Sequence, residues 1–228
     1  FNYDGQRRRL PNPVFLGVPI PENLAAVPAN QPAIQRLQSL LTSYTLAYNQ
    51  NVYLIKNDWH LSDKHRLSMR YNRQGFNGEG LESSGNQVAL EHSGVSQVKT
   101  DTVTASLSSV LTPTLLNEFR FQYLRDDEPG TPRTLGVETV LRHGGVTALT
   151  FGSSPISPRY TNLKAAQFID NLTRTRGRHT LKFGGDLHHA RIVNLFAGNV
   201  RGSYAFNSYD DYFAARPASY VQAFAGEG

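Results

Sequence analysis

The side chains best suited to chemistry in this 228-residue chain are a histidine pair and a few carboxylates. His188 and His189 are metal ligands by type, but they are adjacent. Neighbours on an extended strand point to opposite faces and cannot readily share one ion. Glu118, Asp170 and Asp186 suggest an acid and base pair. Carboxylates on a wet face are more simply solvated, or paired with Arg120 and Lys182. The chain has no cysteine, which removes disulfides, thiolate metal sites and cysteine nucleophiles together. It has no Gly-x-Ser-x-Gly elbow, phosphate loop or His-Glu-x-x-His helix, and Gly184-Gly185 lacks the spacing of a dinucleotide fingerprint. The expectation is a protein that is not an enzyme, with no catalytic residues, no cofactor and no metal site. Asn171-Leu172-Thr173 matches a glycosylation acceptor by sequence alone.

Composition narrows the class further. Net charge is +5, yet the arginines are spread among strands and turns, which argues against nucleic acid as a partner. Mean hydropathy is -0.41, a value that membrane β-barrels share with soluble proteins because half of each strand faces a polar lumen. Apolar runs are broken every few residues, so no helix spans a membrane. Eleven tyrosines and twelve phenylalanines against one methionine and one tryptophan favour strands. The first ten residues lack the basic-then-apolar layout of a secretion signal, and the expectation is a mature piece or an internal fragment.

Residues 98–125 set the plan that positions these groups. Asp101, Val103, Ala105, Leu107, Ser109 and Leu111 share one face, and Thr100, Thr102, Thr104, Ser106 and Ser108 share the other. That is period two, hence β. Pro113 breaks the ladder, and the return strand sets Phe119, Phe121 and Tyr123 against Glu118, Arg120, Gln122 and Leu124. A second hairpin runs out over residues 52–61 and back through Leu67, Met69 and Tyr71 about the polar turn at residues 62–65. A third pairs residues 163–173 with 179–191 about Arg174-Thr175-Arg176-Gly177-Arg178.

The remaining segments connect these hairpins. The start is a strand end running into Arg7, Arg8 and Arg9, followed by a proline-rich extended loop over residues 10–30. Pro32 opens a short helix with Ile34, Leu37, Leu40 and Leu41 as its apolar stripe. Residues 74–97, rich in glycine and serine, read as a long mobile connection, and residues 126–160 as a long irregular one with a short strand at 146–151. The tail offers a strand at 203–206, a helix capped by Ser208 with Asp211 and ending before Pro217, and a further strand from Val221 onward. Short turns alternate with long connections, and strands of about ten residues joined this way match the plan of an outer-membrane barrel.

Three strings in order resemble the barrel of TonB-dependent outer-membrane receptors. They are Leu61-Ser62-Asp63-Lys64-His65-Arg66-Leu67 with Arg70-Tyr71-Asn72, then Leu115-Leu116-Asn117-Glu118-Phe119-Arg120-Phe121, then Gly177-Arg178-His179-Thr180-Leu181-Lys182-Phe183-Gly184-Gly185. Tyr3-Asp4-Gly5-Gln6-Arg7 and Tyr212-Phe213-Ala214-Ala215-Arg216-Pro217 are similar to the branch with a carboxypeptidase-regulatory-like N-terminal domain. The resemblance implies an all-β antiparallel meander of long hairpins, part of a transmembrane barrel, with one or two short helices in loops. It implies that residues 1–228 are a partial barrel without plug or closure, in a bacterial outer membrane. The implied role is uptake of a large or scarce nutrient, a siderophore or a glycan, energised by the TonB system through a separate plug, with outer-membrane lipid around the barrel.

On that plan Arg70, Arg120, Lys182, Asp186 and His188 line the lumen, while Ile55, Leu67, Leu107, Phe121 and Phe183 face lipid. Ligand contacts are expected from the two long connections. The alternative is a secreted β-rich glycan-binding module, with aromatics such as Trp59 and Tyr123 stacking on sugar and the apolar faces closed into a core.

Overall fold

Period-two alternation is realised as a meander. The computed structural model describes residues 1–196 and 198–224. Its elements are β1 (Asn2–Asn12), α1 (Glu22–Ala25), α2 (Gln31–Leu40), β2 (Tyr44–Ser62), β3 (His65–Glu79), β4 (Gly94–Thr112) and β5 (Leu115–Pro132). They continue with β6 (Glu138–His143), β7 (Val146–Phe151), β8 (Arg159–Arg176), β9 (His179–Phe196), β10 (Ser203–Phe206), α3 (Tyr209–Phe213) and β11 (Ser219–Val221). A seven-stranded sheet has the order β1-β2-β3-β4-β5-β8-β9, and every pairing in it is antiparallel. The fold is all-β with short helices in the connections, three α-helices where one or two were expected. The large sheet is one antiparallel meander of long hairpins. No helix among the described residues is long and apolar enough to cross a membrane.

The strands are longer than the sequence pattern indicates. Those from β2 to β5, with β8 and β9, run 15 to 19 residues where about ten were expected. β1 likewise continues through Arg7, Arg8 and Arg9. The connection expected over 74–97 shrinks to residues 80–93, and the one over 126–160 to residues 133–158. The tight turns of the large sheet fall at Asp63-Lys64, at Pro113-Thr114 and at Gly177-Arg178, where Gly177 takes φ +61°, a left-handed conformation that costs glycine nothing.

All long connections lie at one end, and there they fold together. β6, β7, β10 and β11 form a second sheet of order β11-β10-β6-β7, with β10 and β6 parallel. Leu37 and Leu40 of α2 pack with Leu141, Leu149, Phe206 and Tyr209 in the one buried cluster of the described residues. The apolar stripe of α2 is therefore buried, as its 3.6 period requires. Ser208 caps α3, its hydroxyl accepting from the Asp211 N–H at 3.1 Å. Residues 80–93 and 133–158 are thus parts of a folded cap, a correction to their reading as mobile or irregular. The strand expected from Val221 onward is corrected: β11 covers Ser219–Val221 and ends where that strand was to begin, residues 222–224 are not strand, and residues 225–228 lie outside the described residues.

Candidate functional site

The register of the large sheet builds two unlike surfaces. Successive pairings align Ile55, Tyr71, Val103, Tyr123 and Ala166 in one row, and Met69, Ala105, Phe121, Phe168 and Leu187 in the next. The expected lipid-facing residues Ile55, Leu67, Leu107, Phe121 and Phe183 all fall on this apolar face, where Ile55 is 51%, Phe183 60% and Leu187 67% exposed. The expected lumen-facing residues Arg70, Arg120, Lys182, Asp186 and His188 all fall on the opposite face. No second layer of the described residues packs on the apolar face.

The polar face is rich in hydroxyls. Ser68, Thr104, Ser106, Arg120, Gln122 and Gln167 line a depression of about 420 Å³. Glu118 stands 3.8 Å from Arg120 and 3.9 Å from Lys182, and Asp186 accepts from Gln167 Nε2 at 2.9 and 3.0 Å. These carboxylates are paired or hydrogen-bonded in the manner of a polar lining. Asp170 corrects the sequence reading. It lies between Phe168 and Leu172 on the apolar face, because a residue two places from each must share their side. There it accepts from Asn117 Nδ2 at 2.7 Å, on the opposite face from Glu118 and Asp186. His188 and His189 likewise separate, opposite Gln167 on one face and Ala166 on the other.

One row was not anticipated from the sequence. Arg73, Asp101, Arg125, Lys164 and Arg191 are consecutive cross-strand neighbours on the apolar face, immediately toward the cap from the apolar rows. Its signal was present strand by strand, since each apolar run ends in a charge two residues from Tyr71, Val103, Tyr123, Ala166 or His189.

The cap lies over the other face. Ser96, Gly130 and Arg159 form one row of the polar surface, and the Arg159 guanidinium binds Glu82 of the 80–93 connection at 2.5 and 3.0 Å. Glu82 is 3% exposed and also accepts from Ser157 Oγ at 2.9 Å. A bidentate guanidinium pair with a third donor satisfies a buried carboxylate and fixes its direction. Deeper in the cap His92 Nε2 lies 3.7 Å from Glu138 Oε1. Burial holds His92 at about 4, against the opposing pull of the Gly152 backbone and the Glu91 charge, and burial pushes Glu138 above its usual range, against the hydrogen bond from Ser203. Burial also pushes the Tyr209 phenol up to about 12, and its hydroxyl donates to the Val18 carbonyl at 2.6 Å.

A sequence-family model described as an outer membrane beta barrel domain matches residues 15–226 of this chain. No curated protein and no solved structure matches it.

Proposed function

Because the chain belongs to the outer-membrane β-barrel domain family, we propose that it is a section of a TonB-dependent receptor barrel that takes up a large or scarce nutrient. The protein is an outer-membrane protein, and membrane lipid is its surrounding. The finer reading makes residues 1–228 a partial barrel that relies on a plug and on the TonB system, and that moves a siderophore-like or glycan ligand without catalysing a reaction. In it Arg70, Arg120, Lys182, Asp186 and His188 face the lumen and Ile55, Leu67, Leu107, Phe121 and Phe183 face lipid.

One observation carries this reading. Every long connection lies at one end, where the connections fold into a cap over the polar face while the apolar face stays bare. A cap held over the mouth of a polar channel fits a receptor that captures a ligand before it passes.

The test is uptake by the full-length natural polypeptide in bacterial outer membranes, with and without a working TonB system. Growth on a panel of ferric chelates and oligosaccharides should require both the polypeptide and the coupling system. Growth that needs the polypeptide but not the coupling system would make it a passive pore and overturn the proposal.

A further inference from the structure

The charged row beside the apolar face is an arrangement that the sheet cannot satisfy internally. Arg125, Lys164 and Arg191 occupy directly opposite positions on β5, β8 and β9. Directly opposed like charges on a sheet face repel, and an alternating row avoids this. The row does alternate on its other side, where Asp101 sits between Arg73 and Arg125. Asp101 is engaged there by Arg73 at 3.4 Å and by the Tyr71 hydroxyl at 2.5 Å. Asp127, the acid one row toward the cap, is held by Arg125 at 2.9 Å and accepts from Asn162 Nδ2. Among the described residues no ion pair is made by Lys164 or Arg191, and both are exposed.

Directly below these two cations, away from the cap, the same face carries Ala166 and His189, then Phe168 and Leu187. An anion bound between Lys164 and Arg191 would therefore sit at the upper edge of an apolar surface. That geometry fits an amphiphile with a negatively charged head and acyl chains. It does not fit a soluble anion, which gains nothing from Phe168 or Leu187.

We propose that Lys164 and Arg191 form a binding site for the phosphate of a membrane lipid whose acyl chains lie along Phe168 and Leu187. The phosphate oxygens take hydrogen bonds from the Lys164 ammonium and the Arg191 guanidinium, which relieves the repulsion among the three cations. The inference rests on the apolar face being the lipid face.

The experiment uses the full-length natural polypeptide in a neutral detergent, with two fluorescent probes of identical acyl chains, phosphatidylglycerol and uncharged diacylglycerol. The wild type should bind phosphatidylglycerol more tightly. Lys164→Gln and Arg191→Gln should each weaken it about fivefold, on the scale of one surface cation at an anionic membrane, and leave diacylglycerol unchanged. Arg191→Lys should keep most of the preference. Arg176→Gln, at the opposite end of β8, should change nothing. Undiminished preference in the double variant would overturn the proposal, and so would inorganic phosphate that competes as well as the lipid does. Failure of either probe to bind would instead refute the lipid assignment of the apolar face itself.

Discussion

Phe121 and Phe168 face each other directly across β5 and β8, with ring centroids 5.0 Å apart and planes tilted by 41°. Arg120, one residue away, points to the other side of the same sheet. The pair marks the middle of the apolar face, and a charge placed there at mid-bilayer costs about 2 to 4 kcal/mol. Phe121→Lys is expected to lower the folding free energy, from urea titrations of refolding of the full-length polypeptide into phosphatidylcholine vesicles, by that amount. Arg120→Glu is expected to cost far less. Equal tolerance at the two positions would sink the face assignment.

The Glu82 and Arg159 pair should hold the cap to the sheet. Removing one partner strands a buried charge, and Arg159 keeps about a quarter of its side chain in water, so the loss in Glu82→Ala is about 2 kcal/mol. Limited proteolysis should then cut residues 80–93 and 133–158 faster, while the β signal of the large sheet stays constant. Unchanged cleavage would show that the pair does not tether the cap.

Acid should loosen the cap through His92. Its value in the folded protein, about 4, lies below the ordinary 6.5, so the unfolded chain takes the proton first. The penalty is absent above pH 6.5 and grows as pH falls, reaching about 3 kcal/mol near pH 4. Glu138 works the other way. Its raised value means that the folded state takes that proton first on acidification, which offsets part of the loss. Protection factors of the amides of residues 88–93 and 138–151, each taken against the intrinsic exchange rate at the same pH, should fall between pH 6.5 and 4 in the wild type, with a shallower slope in His92→Gln. Parallel slopes would remove His92 from the account.

Gly152, just after β7, has φ +81°, and a Cβ there would come within 1.9 Å of the Val137 carbonyl oxygen. Gly152→Ala therefore meets both a disfavoured backbone and a backbone clash, for a loss of at least about 2 kcal/mol. A melting curve of the cap that matched the wild type would contradict this placement.

The lower halves of the strands were legible in the sequence because one face there is apolar and the other wet, which is what period two reports. The upper halves were not, for a reason visible at Gly78 and Gly130. Both glycines sit inside strands, and a Cβ at either would strike the cap connection, Leu81 at 2.4 Å in one case and Glu82 at 2.6 Å in the other. They mark close approach, not a loop. The cap core was hidden for a different reason. Leu37, Leu141 and the neighbouring Phe206 and Tyr209 come from three separated segments, and only the stripe of α2 announces its share by periodicity. Asp170 was misplaced because the carboxylates were grouped by charge, and the count from Phe168 was not applied.

The length of β4 has a consequence for height. Beyond the charged row at Asp101 the strand continues as far as Gly94, seven more residues, paired with β3 down to Val95 and with β5 at all but Gln97 and Val98. At ~3.3 Å per residue and a tilt of ~40°, that extension rises ~18 Å above the lipid phosphates. The unbroken pairing with β3 as far as Val95 stiffens this extension, so the cap stands on a raised parapet. A bulky visitor would meet protein well above the headgroup layer, and antibodies raised against the cap should bind intact cells.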